Sequence, residues 1–163
     1  MNIQIYIRPL KLSDADISYK WRNDPEVWLY TEYVITTPIS PEIEKNWLSE
    51  KLKLSNEKRF AICLSETNEY IGNIQIIGIN NGSADFHLFI GEKKFWGKGI
   101  GYQASLLILK YAFFDLMLKN VFLEVHAENV AGFSIYKKVG FTKVSRHGNF
   151  IKMVVHSSAL KIN

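Results

Sequence analysis

The chain of 163 residues is 47% hydrophobic and 22% charged, a balance that suits one compact domain over residues 1–163 whose core needs no staples. No apolar run approaches the roughly 18 to 20 residues needed to cross a bilayer, and the opening Met1-Asn2-Ile3-Gln4-Ile5 lacks the charged-then-apolar layout of a secretion signal, so neither membrane insertion nor secretion is expected. A net charge of +4 is scattered over 20 basic and 16 acidic residues, which argues against a nucleic-acid partner while suiting a protein that holds a polyphosphate.

In chain order, Ile3, Ile5 and Ile7 alternate with polar or amphipathic residues and predict a strand over 3–8, ended by Pro9. Ser13 is the expected N-cap of a helix reaching Arg22, and Ser40-Pro41 opens a second helix to about Leu54 with Glu42 and Glu44 in its first turn. Residues 59–64, 70–79 and 83–91 read as an antiparallel meander, because Thr67-Asn68-Glu69 and Asn80-Asn81-Gly82 carry turn chemistry. The lone Cys63 lies in the first of these apolar runs and reads as a small buried hydrophobe in a reducing, cytoplasmic protein. Helical spacing of Ile100, Ala104, Leu107, Ile108, Tyr111 and Phe114 predicts a helix from Gly99 to about Asp115. A strand over 120–127, a helix from Asn129 to Lys138 with Gly140 behind it, and strands over 141–146 and 150–156 complete the chain. The order β-α-α-β-β-β-α-β-α-β-β implies an α/β (α+β) fold with a mixed, mostly antiparallel sheet flanked by helices.

The chemistry begins where a strand runs into Gly97-Lys98-Gly99-Ile100-Gly101 and then into the strongest helix. Alternate glycines strip side chains from the turn, so backbone N–H groups converge on an anion at a helix N-terminus; a pyrophosphate is the expected ligand. A Rossmann fingerprint would need glycine where Tyr102 stands, and no Lys-Ser/Thr follows as in a P-loop. The structural alternative is that the glycines only allow close packing against a strand.

Lys94-Phe95-Trp96-Gly97-Lys98-Gly99 resembles the phosphate motif of the GNAT acetyltransferase superfamily, Gln/Arg-x-x-Gly-x-Gly/Ala, in the wording common in its RimJ/RimL branch; Lys94 departs from the first position. The resemblance implies an acetyl-CoA site in which the backbone of Gly97 to Gly101, Ile100 included, cradles the pyrophosphate and Lys98 supplies charge, with Lys94 among the cofactor-binding residues. It also implies that Leu88, Phe89 and Ile90 pair with the pantetheine arm along a fourth strand that is bulged and splayed from the fifth, with an amide of Phe89 or Ile90 holding the oxyanion.

Asn129 to Phe141 resembles the same superfamily's second signature, in which an Asn opens the fourth helix and a Tyr follows two turns later. Asn129 is a good N-cap by type and, by resemblance, also touches the cofactor. Tyr136 falls on nearly the same helix face and would direct its hydroxyl at the cofactor sulfur as the acid for a departing thiolate.

An amine acceptor arrives as an ammonium and must lose a proton. Asp85, His87, Glu92, Glu124 and His126 are the candidates, with His87 and Glu124 placed first because their strands would flank the cleft. The histidines lack ligand spacing, so no metal is expected. The wording around Trp21, Arg22 and Asn23 is similar to RimJ/RimL-like enzymes and to those acting on nucleotide-linked amino sugars, and with Tyr33 it marks the acceptor pocket. The expected reaction is direct acetyl transfer in a ternary complex to a primary amine of a small molecule or peptide, with a homodimer allowed; the rival is a non-catalytic acyl-CoA sensor.

Overall fold

A computed structural model describes residues 2–160; residue 1 and residues 161–163, the ends of the expected span, lie outside the described residues. Seven strands form one sheet in the order β1-β2-β3-β4-β5-β7-β6. They are β1 Ile5–Pro9, β2 Lys58–Leu64, β3 Tyr70–Asn80, β4 Ser83–Ile90, β5 Asn120–His126, β6 Thr142–His147 and β7 Phe150–His156. Every pairing is antiparallel except β4 with β5, which the crossover helix α3, Ile100–Lys110, makes parallel.

Two helices, α1 Ala15–Arg22 and α2 Pro41–Leu52, cover one face of the sheet, where Trp21, Leu48, Ala61, Cys63 and Tyr70 form a small core. The larger core lies on the other face under α3 and α4, Val130–Val139, and joins Ile74, Ile76 and Phe86 to Ile100, Ile108 and Phe141. Cys63 is buried in the smaller of the two cores, as an apolar residue would be.

The local rules hold with instructive exceptions. Ser40 caps α2 as expected, its hydroxyl accepting from the Ile43 amide at 3.2 Å with Pro41 following. Ser13 does not cap α1. It sits inside a 3-10 turn, Leu12–Asp14, and Asp14 does the locking instead, accepting from the Lys11 amide at 2.8 Å and from both terminal nitrogens of Arg8 at 2.8 and 2.9 Å. A carboxylate can take all these donors at once, which a hydroxyl cannot. The helix expected to Asp115 changes at Tyr111 to one π turn. The bulge expected in β4 lies in β3: Ile77 pairs with Asp85 and Asn80 with Ser83, so β3 carries the extra residue, and Gly78 adopts φ +62 there.

Candidate active site

Between β4 and α3 the chain makes a 3-10 turn, Lys93–Phe95, and then passes Gly97 at φ +70 and Gly99 at φ +79. A Cβ placed on either glycine would meet nothing within 4 Å. Close packing therefore does not account for them; the left-handed backbone does. Gly101 is different, its Cβ position lying 3.4 Å from Ile135 and 3.5 Å from Leu88. Among the described residues no side chain caps α3, and the first amide to close a helical bond is that of Gln103, to Gly99. The amides of Ile100, Gly101 and Tyr102 thus stand at the positive end of the helix as free anion donors. Lys98 is exposed on the loop, and Lys94 pairs with Glu69 at 2.9 Å, which raises its pKa; neither lysine lines the cavity below.

The loop opens into a gap in the sheet. β4 and β5 pair only from Ser83–Asp85 to Asn120–Phe122, and beyond that both strands have unpartnered edges. Gly72 pairs with Ile90, so Gly91 stands opposite Ile71, to whose carbonyl it donates at 2.8 Å. Alternation then turns the main-chain groups of Phe89 and His87 toward β3 and those of Ile90 and Leu88 toward the gap. The Trp96 indole donating to the Ile90 carbonyl at 2.8 Å agrees with this. Of the two amides implied for the oxyanion, Ile90's faces the gap and Phe89's does not.

Behind the gap, Asn129 caps α4 by accepting from the Gly132 amide at 2.9 Å, and a Cβ on Gly132 would come within 2.7 Å of that cap. Seven residues on, Tyr136 lines the gap. Its ring stands edge-on to Phe86 and Phe141, at 5.7 and 5.9 Å between centroids. Burial among these rings pushes its phenol up to about 12, so it carries its proton throughout the neutral range.

On the opposite face, the register sets Arg59, Gln75 and His87 side by side across β2, β3 and β4. His87 and Glu124 flank the gap and both line the cavity. His87 is pulled below the ordinary imidazole value of 6.5, first by desolvation among these walls and also by the charge of Arg59, against the opposing carboxylates of Asp85, Glu124 and Glu57. It is therefore neutral and able to accept a proton at neutral pH.

The segment after α1 arches over this face. Trp28 donates to the Trp21 carbonyl at 2.7 Å and packs 4.9 Å from the Phe89 ring, while Tyr30 lies 5.7 Å from His126 of β5. The space beneath it, through the gap and up to the glycine loop, is one cavity of about 710 Å³. Of the expected acceptor residues only Arg22 lines it. Trp21 is 4% exposed, donates to Glu92 at 3.0 Å and fills the place where a Gly91 side chain would be, so it pins the end of β4. Asn23 is spent on the Tyr19 and Ile39 backbone, tying the loop shut, and Tyr33 packs on Trp28 beside a separate shallow dent.

Residues 4–142 match the acetyltransferase (GNAT) domain family. The chain belongs to the GNAT acetyltransferase family. It is 29% identical over 86% of its length to an N-acetyltransferase, p20, of Bacillus licheniformis, covering 80% of that protein. It is 28% identical over 85% of its length to the spermidine N(1)-acetyltransferase of Escherichia coli K12, covering 73% of it. Among solved structures, the spermidine N-acetyltransferase of Vibrio cholerae in complex with CoA and spermine has the same fold, with a TM-score of 0.84 at 22% identity over 96% of this chain and 97% of that one.

For this N-acetyltransferase, the glycine loop, the gap and the two flanking faces are therefore the elements to interpret. Sequence reasoning missed Arg59, Gln75 and Trp47, all of which line the cavity. The available signal was the alternation in β2 and β3, where Arg59 and Gln75 point to the same side as His87, but it cannot be read without the register.

Proposed function

We propose that this GNAT enzyme is one acetyltransferase domain of the RimJ/RimL-like branch, cytoplasmic, that transfers acetyl from acetyl-CoA to a primary amine in a ternary complex. The carrying observation is the gap between β4 and β5, which connects free helix-start amides and Tyr136 on one side with His87 and Glu124 on the other. Acetyl-CoA supplies a thioester carbonyl, open to attack by a neutral amine.

In this reading the amides of Ile100 to Tyr102 and the left-handed Gly97 and Gly99 hold the diphosphate, while the Leu88 and Ile90 edge pairs with the pantetheine. His87, with Glu124 beside it, takes the ammonium proton, so the nitrogen lone pair can form the new C–N bond. The Ile90 amide donates to the oxygen that gains charge. As the C–S bond breaks, the electron pair goes to sulfur and Tyr136 donates to it. A phenol near 12 is a weak acid against a thiol of about 8.5 in water, but the apolar box around Tyr136 disfavours a bare thiolate as strongly as a phenolate, and this narrows the difference. The test is thiol release from acetyl-CoA across a panel of primary amines, alongside calorimetry with CoA. Heat with CoA and acetyl transfer to some amine is expected; CoA binding with no transfer to any amine would reject the reading.

A further inference from the structure

The wall of the cavity farthest from the gap carries a feature that acetyl transfer does not require. The guanidinium carbons of Arg22 and Arg59 lie 4.2 and 5.2 Å from the same Trp47 ring. Each arginine gives its Nε to a carboxylate, Arg22 to Glu44 at 3.2 Å and Arg59 to Glu57 at 2.7 Å. Their side chains are only 18% and 9% exposed.

The terminal nitrogens of both make no hydrogen bond to any described residue, yet the one fully buried side-chain N or O without a partner among the described residues is Asn120 Oδ1. The guanidinium ends must therefore open onto free space, and both residues line the cavity. Four of the five N–H donors of each arginine are left uncommitted by the described residues and are open to water or to a ligand that enters the cavity. The Nε bond and the indole hold each fork in one orientation, so little is lost on engaging a ligand.

We propose that the acceptor amine also bears an oxyanion, a carboxylate or phosphoryl group, gripped by Arg59 and Arg22 on the order of 10 Å from the nitrogen that is acetylated. The inference rests on the acetyltransferase reading and names its substrate class. The distance follows from the register: Arg59, Gln75 and His87 stand opposite one another on three adjacent strands, and two strand spacings of about 4.8 Å separate the anion end from the amine end. Gln75, between them, offers a donor and an acceptor to the body of the molecule. Glu44 and Glu57 cancel the net charge of the arginines, so selectivity comes from the unsatisfied forks rather than from a long-range field. A polyamine would bring further donors to the arginine wall, where Glu44 and Glu57 are already engaged; the carboxylates that line the cavity, Glu26 and Glu124, lie elsewhere in it.

The probes are two matched pairs, hexylamine against 6-aminohexanoate and glucosamine against glucosamine 6-phosphate, assayed by thiol release with the wild type, Arg59→Lys and Arg59→Met. The charged member of at least one pair should be preferred by about 10- to 100-fold in kcat/KM, the range of a charge-assisted fork. Which pair responds identifies the oxyanion. Arg59→Met should erase that preference through KM for the charged acceptor, with the KM for acetyl-CoA retained. Because Arg59 also lowers the His87 pKa, both acceptors are compared on the pH plateau, where the neutral member should change far less than the charged one and its rate reports that the variant folds. Arg59→Lys, which keeps charge and loses the fork, should recover only part. Equal use of both members of both pairs, or a variant that lowers charged and neutral acceptors alike, would overturn the proposal while leaving the acetyltransferase reading intact. If none of the amines gave thiol release, that reading would fall, and this inference with it.

Discussion

The two halves of the cavity are built from different materials. On the side proposed for the donor the exposed groups are main-chain amides and carbonyls, presented by glycines at positive φ and by a stretch of β4 that does not pair with β5. On the acceptor side they are side chains gathered from α1, α2, β2, β3, β4 and β5. A backbone site depends on conformation and tolerates little local change, whereas a side-chain site can be rebuilt one residue at a time on the same frame. A donor half made of backbone can therefore stay fixed while the acceptor half is rebuilt for a different amine.

Tyr136, the acid of the proposed mechanism, would be the exception on the donor side, and its removal gives the largest expected effect. Tyr136→Phe should lower kcat by about 10²- to 10⁴-fold with acetyl-CoA affinity nearly unchanged, since the ring contacts with Phe86 and Phe141 survive. Parallel measurement of kcat and of CoA binding by calorimetry checks it. Unchanged turnover would mean that solvent supplies the proton.

Next comes the backbone itself. Gly99→Ala introduces a Cβ into empty space, so only the φ of +79 is penalised, by about 1–2 kcal/mol. If the loop serves the diphosphate, kcat/KM for acetyl-CoA should fall about 5- to 30-fold while acetyl-pantetheine, which has no diphosphate, is used as before. An equal loss with both donors would show that the loop acts through the fold instead.

The same contrast explains what could be read in advance. Gly97, Gly99 and Asn129 were legible because each answers a local demand: a left-handed backbone or a helix start that few residue types meet. The order of elements was legible from periodicity, and the start of α1 failed by one residue, since Ser13 and Asp14 are both capping types and only the position of Arg8 decides between them. The acceptor wall was not legible. Arg59 and Gln75 look like solvent-facing residues of a strand until β2 and β3 are placed beside β4. Trp21 looked like pocket surface because its partner, the bare backbone of Gly91, leaves no mark of contact in a sequence.

The smallest expected effect is the sharpest probe of the amine side. His87 titrates below 6.5, so with His87 as the base, kcat/KM stays on its plateau as pH falls through the usual imidazole range and drops only below it. Asp85 and Glu124 raise the His87 pKa and Arg59 lowers it. Asp85→Asn therefore removes a stabiliser of the imidazolium, and the acid limb should move to lower pH by a fraction of a unit, with the plateau rate retained because Asp85 does not line the cavity. His87→Gln should remove the limb and lower the plateau about 10²-fold. A limb that ignores Asp85→Asn and survives His87→Gln would assign the proton to Glu124 or to water, and would make the acceptor face a binding surface rather than a basic one.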